Sequence, residues 1–197
     1  MIGWLEMSEY GHALFDTAIG WCGLVWGPAG LIGVLLPEAG PAATRARLTR
    51  RYPDAPEAPP PAPERAAIEG MTALLAGEAR DLTFIELDLA RVGDFERGVY
   101  AVARAIVPGQ TLTYGEVAAK LGDKRLARAV GQALGANPWP IVVPCHRVLA
   151  ADGKAGGFSA PGGLQTKARM LSIERAQVGA PGLFDDLPLS VRPRRPG

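Results

Sequence analysis

The pattern of hydrophobic and polar positions changes once along the chain, near Val92-Gly93. Before this point, short apolar runs are separated by glycine and proline, which is typical of strands and turns. After it, apolar residues recur every three or four positions, which is typical of amphipathic helices. We therefore predict a small α/β domain over 1–92 and a mainly helical domain over 93–180, followed by a flexible tail over 181–197.

Two apolar runs near the start predict strands at about 12–27 and 30–36, with Pro28-Ala29-Gly30 as the hairpin turn between them. Residues 17–37 carry no charge and are nearly long enough to cross a bilayer. Glycines and a proline interrupt this run, so we favour the hairpin and expect no membrane span.

The rest of the first half predicts a linker that is a stiff loop, then a helix and a strand. The loop is the proline-dense segment 52–63, YPDAPEAPPPAP, because proline is excluded from helix interiors and central strands. A helix over 64–78 follows from apolar residues at helical spacing. Alternating apolar positions over 82–90 indicate a further strand.

The second half predicts three helices. Phe95, Val99, Val102 and Ile106 share one face of the first, which ends before Pro108-Gly109. The second begins at a capping box of Thr113 and Glu116 and closes at Gly122, and the third covers about 124–137. The last two helices are a candidate helix-turn-helix, with an ordinary helical hairpin as the alternative.

Charge is distributed unevenly between the halves, although the net charge is only +1. Residues 1–92 hold 7 basic and 12 acidic side chains, whereas 93–197 hold 14 basic and 8 acidic ones. The basic half predicts contact with a polyanion, and chance imbalance of surface charge is the alternative.

The two cysteines, Cys22 and Cys145, are too few and too far apart for a disulfide framework, so we expect a reducing, cytoplasmic environment. The N-terminal decapeptide MIGWLEMSEY lacks the basic region of a secretory signal.

Cys145 lies beside His146 in the apolar segment IVVPCHRVL. Pro138, Pro140 and Pro144 predict an extended and stiff approach to the cysteine. Adjacent residues of an extended segment point to opposite faces, so we expect a water between thiol and imidazole. Three interpretations stay open: a buried structural cysteine, a zinc ligand together with Cys22, His12 and His146, and a nucleophile.

Three segments, TYGEVA, RAVGQALGANPWPIVVPCHRVL and GGFSAPGGLQTKARMLSIE, resemble the O6-alkylguanine-DNA alkyltransferases, the methylated-DNA–protein-cysteine methyltransferases. The resemblance runs in order through residues 95–175. It implies a ribonuclease-H-like N-terminal domain with a small sheet and a C-terminal winged helix-turn-helix domain. The implied activity is direct DNA repair, in which an alkyl group moves irreversibly from O6 of guanine to the protein, with O4 of thymine as a further substrate left open.

The same resemblance implies a role for each residue of the reaction. Cys145 is the alkyl acceptor, and His146 relays its proton through a water, oriented by Glu174. Tyr114 donates a hydrogen bond or proton to N3 of the departing guanine. Asn137 braces the turn around the reactive segment. No metal or organic cofactor is implied.

The resemblance also implies binding as a monomer to the minor groove of double-stranded DNA, with the damaged base flipped out of the stack. Tyr114 helps to turn the nucleotide out of the stack, and Arg128 fills the gap that the base leaves. The small residues Ala127 and Gly131 allow close approach to the duplex. Ser159 belongs to the loop over the base.

Two departures from the family pattern concern the loop and the domain junction. The usual aromatic-Ser-Gly-Gly loop reads FSAPGG here, with Phe158 in place of a tyrosine and Ala160-Pro161 inserted. The domain junction reads VGDFERGVY, where the family more commonly has Thr-Pro-Phe followed by Val-Trp. His12 and Cys22 are too few for the zinc site of some relatives, so no metal is predicted.

Three other functions remain as alternatives. The chain could be a non-catalytic lesion-binding protein of the same fold, although such relatives replace the cysteine. A winged-helix regulator would need neither the PCHR segment nor Glu174. A Cys-His hydrolase would require an oxyanion hole and repeated turnover.

Overall fold

The computed structural model describes residues 9–151, 158 and 161–176. The strands are β1 (Gly11–Phe15), β2 (Cys22–Gly27), β3 (Gly30–Leu35), β4 (Leu112–Thr113) and β5 (Val148–Leu149). The helices are α1 (Pro41–Arg51), α2 (Ala62–Leu75), α3 (Asp94–Arg104), α4 (Tyr114–Lys120), α5 (Ala127–Gly135) and α6 (Gly163–Ile173). Small sheets with packed helices therefore make up the described chain. None of the helices in these residues is both long and apolar enough to cross a membrane.

The N-terminal sheet is an antiparallel meander in the order β1-β2-β3. Its second hairpin turns at Gly27–Gly30, as predicted, with Gly30 at φ 114°, a conformation that favours glycine. The single strand predicted over 12–27 is wrong, because a turn divides it into β1 and β2. Thr17 and Gly20 exchange backbone hydrogen bonds of 2.9 and 3.2 Å, and Gly20 has φ 121°.

Helix α1 lies between the predicted strands and the proline-dense loop, where the sequence predicted no helix. Its start follows Gly40, with Pro41 in the first turn, where the missing amide hydrogen costs nothing. Only Thr44 and Leu48 of this helix are buried, and Leu48 packs over Gly23. Two buried positions are too few to produce an apolar periodicity in the sequence.

The predicted proline-dense loop and the helix after it are present, with the helix starting at Ala62. The strand predicted over 82–90 is wrong. This segment is irregular and touches the sheet at one bridge, between Leu31 and Leu87. Asp81 and Asp88 each accept a backbone hydrogen bond from the residue two positions later, which favours turns over a ladder.

The helices of the second half follow the predicted pattern. Val99 and Ile106 are buried on the inner face of α3 and its end. The capping box at α4 is formed, since Glu116 N donates to Thr113 Oγ1 and Thr113 N donates to the Glu116 carboxylate. The third predicted helix begins as a 3₁₀ turn at Lys124–Leu126 before α5.

The two halves share one hydrophobic core. Trp139 is buried between them, and its indole Nε1 donates to Leu31 O of β3 at 2.7 Å. Val34 N of the same strand donates to Pro138 O at 2.8 Å. The sheet therefore holds the segment that leads into Cys145.

Candidate active site

The segment before Cys145 is a tight turn, so the prediction of an extended approach is wrong. Val143 N donates to Trp139 O at 2.8 Å, which closes a turn of helical size. Ile141 has φ 77° in this turn. A buried β-branched residue in that region costs roughly 1–3 kcal/mol and is found where surrounding structure enforces it, often at functional sites.

Cys145 itself begins a 3₁₀ turn, Cys145–Arg147, that follows Pro144. Asn137 fixes the turn from the other side, because its Nδ2 donates to Val143 O at 2.8 Å and its Oδ1 accepts from Trp139 N at 2.9 Å. The bracing position expected for Asn137 thus has a physical basis in two hydrogen bonds to the strained segment.

His146 is fully buried and forms a hydrogen bond with Glu174, the residue that caps the C-terminus of α6. The distance between Nε2 and Oε1 is 2.9 Å. An ionised carboxylate can only accept, so Nε2 carries the hydrogen and Nδ1 keeps its lone pair. Burial lowers the pKa of His146, against the opposing effect of Glu174, and the imidazole is therefore neutral at rest.

Arg147 completes the carboxylate's environment. Its Nε donates to Oε2 and its Nη2 to Oε1 of Glu174, both at 2.8 Å, and its Nη1 donates to Ile106 O. Burial alone would raise the pKa of Glu174, but the hydrogen bonds from His146 and Arg147 lower it to about 2. Glu174 is consequently ionised at any physiological pH and holds the imidazole in one tautomer.

Burial raises the pKa of the Cys145 thiol, while three features oppose that shift. These are a hydrogen bond from Asn137, the positive charge of Lys167 and backbone N–H groups. Lys167 on α6 is fully buried, and its ammonium donates to Val148 O at 2.7 Å. A buried cation next to a thiol stabilises the thiolate over the neutral form.

Tyr114 reaches the site because β4 and β5 pair in parallel, with Thr113 opposite Leu149. This pairing sets the first residue of α4 beside the 3₁₀ turn of Cys145. The Lys167 ammonium lies 5.9 Å from the centre of the Tyr114 ring. Burial, and then the charge of Cys145, raises the pKa of Tyr114, so its phenol keeps its hydrogen.

A cavity of about 980 Å³ opens at the thiol, and we call it the central cavity. The lining from the C-terminal half, which we call the α5 wall, includes Phe158 and six residues of the expected site: Tyr114, Ala127, Arg128, Gly131, Asn137 and Cys145. His146 and Glu174 are not among the lining residues. The lining from the N-terminal half, which we call the α1 wall, includes β3 residues and Arg47, Arg51 and Tyr52. Arg128 is exposed and makes no ion pair with a described residue.

Gly131 lies on α5 against the Tyr114 ring. A methyl group added there would sit 3.8 Å from the ring, an ordinary contact. Packing against Tyr114 therefore does not require glycine. Ser159 lies outside the described residues, as does the tail over 181–197.

The four residues considered for zinc lie in two places. His12 and Cys22 are in the N-terminal sheet, where His12 Nδ1 contacts Ala55 O at 2.7 Å. Within the described residues, no three His, Cys, Asp or Glu side chains form a group that could hold a metal ion. Burial raises the pKa of Cys22 to about 12, so its thiol is protonated at neutral pH.

Lys167 and Arg147 belong to this site and were not predicted from the sequence. A signal for Lys167 exists: it precedes Glu174 by two helical turns, on the buried face that also carries Met170 and Leu171. A lysine on the buried face of a helix is unusual, because a buried ammonium needs a hydrogen-bonding or charged partner. Arg147 gives no such signal, because its partner lies 27 residues away.

Comparison with known proteins identifies the same region. A family profile described as 6-O-methylguanine DNA methyltransferase, DNA binding domain, matches residues 94–176. A methylated-DNA–protein-cysteine methyltransferase from Mycolicibacterium paratuberculosis is 47% identical over 109 residues, which cover 55% of this chain and 64% of that relative. Another, from Methanothermobacter thermautotrophicus, is 34% identical over 163 residues, or 83% of this chain and 81% of the relative.

Solved structures agree with the sequence relatives. The crystal structure of Mycobacterium tuberculosis OGT in complex with DNA matches with a TM-score of 0.68 and 33% identity, covering 84% of this chain and 92% of that one. An O6-methylguanine-DNA methyltransferase from Pyrococcus kodakaraensis matches with a TM-score of 0.63 and 28% identity, over 84% and 98% of the two chains. The chain belongs to the methylated-DNA–protein-cysteine methyltransferase family.

Proposed function

We propose that this protein repairs DNA by moving a methyl or other alkyl group from O6 of guanine to the Cys145 sulfur, once per molecule. The observation that carries the proposal is the buried series of Cys145, His146 and Glu174, of which Cys145 lines the central cavity. The product is a thioether, which water does not hydrolyse, so each protein molecule acts once. O4 of alkylated thymine is a second substrate to test.

The proton of Cys145 leaves through a water to His146 Nδ1. This nitrogen is buried and makes no hydrogen bond within the described residues. The imidazolium that results is stabilised by Glu174, whose carboxylate already accepts from Nε2. Neutral histidine at rest and ionised glutamate beside it are the two protonation states that this transfer needs.

Transfer is an in-line displacement at the alkyl carbon. A lone pair of the Cys145 thiolate forms the S–C bond while the C–O6 bond breaks and its electrons pass to the purine. Tyr114 donates its phenolic hydrogen toward N3 of the purine and so improves the leaving group. The raised pKa of Tyr114 keeps that hydrogen available at neutral pH. Overall, the thiol proton replaces the alkyl group on guanine.

The damaged base must leave the duplex, because O6 inside a base stack is out of reach of a buried thiol. We assign α4 and α5 to a winged helix-turn-helix that lies in the minor groove through Ala127 and Gly131. Arg128, exposed at the cavity rim, occupies the gap in the stack. Ser159 is assigned to the loop above the base, and the protein acts as a monomer.

We also assign a ribonuclease-H-like N-terminal domain, 1–92, and an alkyltransferase domain, 93–180. Helix α3 begins at Asp94, where the family match also begins, which supports this boundary. Both cysteines are free thiols, which fits work in the reducing cytoplasm.

The test is a titration of the protein with duplex DNA that carries one O6-methylguanine. We expect repair to stop at one lesion per protein molecule, after which added DNA stays methylated. Cys145→Ala should bind the damaged duplex and repair none of it. Continued turnover would indicate a hydrolase, and binding by the unchanged protein without repair would indicate a lesion-binding protein.

A further inference from the structure

The α1 wall of the central cavity includes residues of a basic helix from the N-terminal half of the chain. Helix α1 carries Arg45, Arg47, Arg50 and Arg51 and no acidic residue. The half that contains it is otherwise acidic, with only three more basic side chains among residues 1–92. Helix α1 therefore places positive charge at the opening of the proposed DNA site, where it can attract an anionic partner.

Two of these arginines face the cavity. Arg47 and Arg51 are one helical turn apart, and both line it, as does Tyr52. Arg47 is ion-paired with Glu38, so its charge is already neutralised. The remaining cationic side chain on this wall is Arg51.

Arg51 is exposed, and Tyr52 holds it in place. Its Nε donates to Tyr52 Oη at 3.2 Å, and its guanidinium carbon lies 5.6 Å from the centre of the Tyr52 ring. Its two Nη groups, the donors that form a fork with a phosphate, have no partner among the described residues. An exposed arginine that is anchored at one end and open at the other is suited to bind an anion.

The α5 wall has no charged side chain at the C-terminal end of α5. At its C-terminal end, α5 presents Gly135 and Ala136 to the cavity, and neither offers a charged side chain. Arg128 lies two turns earlier on α5, at Ala127–Gly135. A nucleotide extruded into the cavity keeps its phosphates at the rim, where Arg51 supplies the positive charge that this end of α5 lacks.

We propose that Arg51 binds a phosphate of the DNA backbone on the α1 side of the cavity, positioned for it by Tyr52. The N-terminal half then takes part in DNA binding, and the duplex is held from both walls. This inference depends on the proposed function for its partner, DNA, but not on the chemistry at Cys145.

The experiment measures binding of an undamaged duplex to the unchanged protein, Arg51→Ala, Arg51→Lys and Arg45→Ala at several salt concentrations. Arg45 is the matched control, because it lies on the same helix but pairs with Glu57 and does not line the cavity. Loss of one phosphate contact should weaken binding about fivefold near 150 mM salt and lower the slope of log K against log salt by about 0.9. Arg51→Lys should restore most of this loss.

Equal effects of Arg51→Ala and Arg45→Ala, or no effect of either, would overturn the inference, since both remove one charge from α1. Alkylation of Cys145 by iodoacetamide needs no phosphate and should proceed equally in all four proteins. Failure of the unchanged protein to repair O6-methylguanine would refute the proposed function while leaving an Arg51-dependent salt slope intact. The two ideas are therefore tested separately.

Discussion

At the scale of single residues, Lys167 is the side chain whose position most needs a reason. Burial of a lysine is unfavourable, and it lowers the pKa of Lys167 to about 8, against the opposing effect of the charge of Cys145. The ammonium lies near the rings of Tyr114 and Phe158, both of which line the central cavity. A positive charge in this place favours the thiolate of Cys145 over the neutral thiol.

Lys167→Met should slow alkylation of Cys145 by iodoacetamide several-fold at pH 7, because the thiolate loses a favourable charge. The lysine is charged below about pH 8 and neutral above it. The difference in alkylation rate between the unchanged protein and Lys167→Met should therefore be largest below pH 8 and decrease as the pH rises. Lys120→Met, on the exposed face of α4, is the control. Parallel pH profiles of alkylation for the unchanged protein and Lys167→Met would refute the proposed effect of Lys167 on the thiolate.

Arg128 gives a second prediction at the same scale. Arg128→Ala should lower the rate of repair on duplex DNA by about tenfold, and much less on a single strand, because a single strand has no partner gap to fill. Rates of methyl loss from the two substrates measure this directly. Equal losses of repair rate on the duplex and on the single strand would contradict the proposed insertion of Arg128 into the stack.

At the scale of elements, the short helix α4 depends on its first turn. Seven residues are too few for a helix to be stable alone, and the capping box of Thr113 and Glu116 satisfies amide groups at its start. Tyr114 is the next residue, so the cap also fixes the proposed proton donor. Stability and catalysis are thus coupled at one helix terminus.

Thr113→Ala should lower the free energy of unfolding by about 1 kcal/mol and reduce repair of duplex DNA. Thr113→Ser keeps the hydroxyl and should restore both. Thr49→Ala serves as control, since the Thr49 hydroxyl donates to Arg45 O within α1, far from the cap of α4. Urea unfolding and repair kinetics are the measurements. Full repair by a destabilised Thr113→Ala protein would show that the cap does not position Tyr114 for the reaction.

At the scale of the molecule, Glu174 ties α6 to the turn that bears Cys145. Its pKa is about 2 in the folded protein against 4.5 for the free side chain. The stability it supplies is therefore complete above pH 4.5 and is lost as pH falls toward 2. Between pH 6 and pH 3 this loss amounts to about 2 kcal/mol.

Glu174→Gln should consequently be less stable than the unchanged protein at pH 6. The difference in free energy of unfolding between the two proteins should decrease by about 2 kcal/mol at pH 3. Urea unfolding at both pH values measures the gap. Glu69→Gln, a substitution on α2 away from the site, controls for general charge effects. A gap that stays constant with pH would contradict the ion-paired state of Glu174.

The sequence predicted the features that repeat or that are local. Helical periodicity located α3 and α5, and the spacing of Thr113 and Glu116 located the start of α4. The break between β1 and β2 was missed because a turn of Asp16 to Trp21 leaves the apolar run largely continuous. The buried network of Arg147, Lys167 and Glu174 joins segments about twenty residues or more apart, and no periodic pattern records such contacts.

The most direct test of the account follows the methyl group itself. A duplex with an isotope-labelled methyl on O6 of guanine is incubated with the protein, which is then digested and analysed by mass spectrometry. The account predicts one labelled methyl, bound as a thioether to Cys145, and none on Cys22. Label found in solution as methanol, or on any residue other than Cys145, would contradict it.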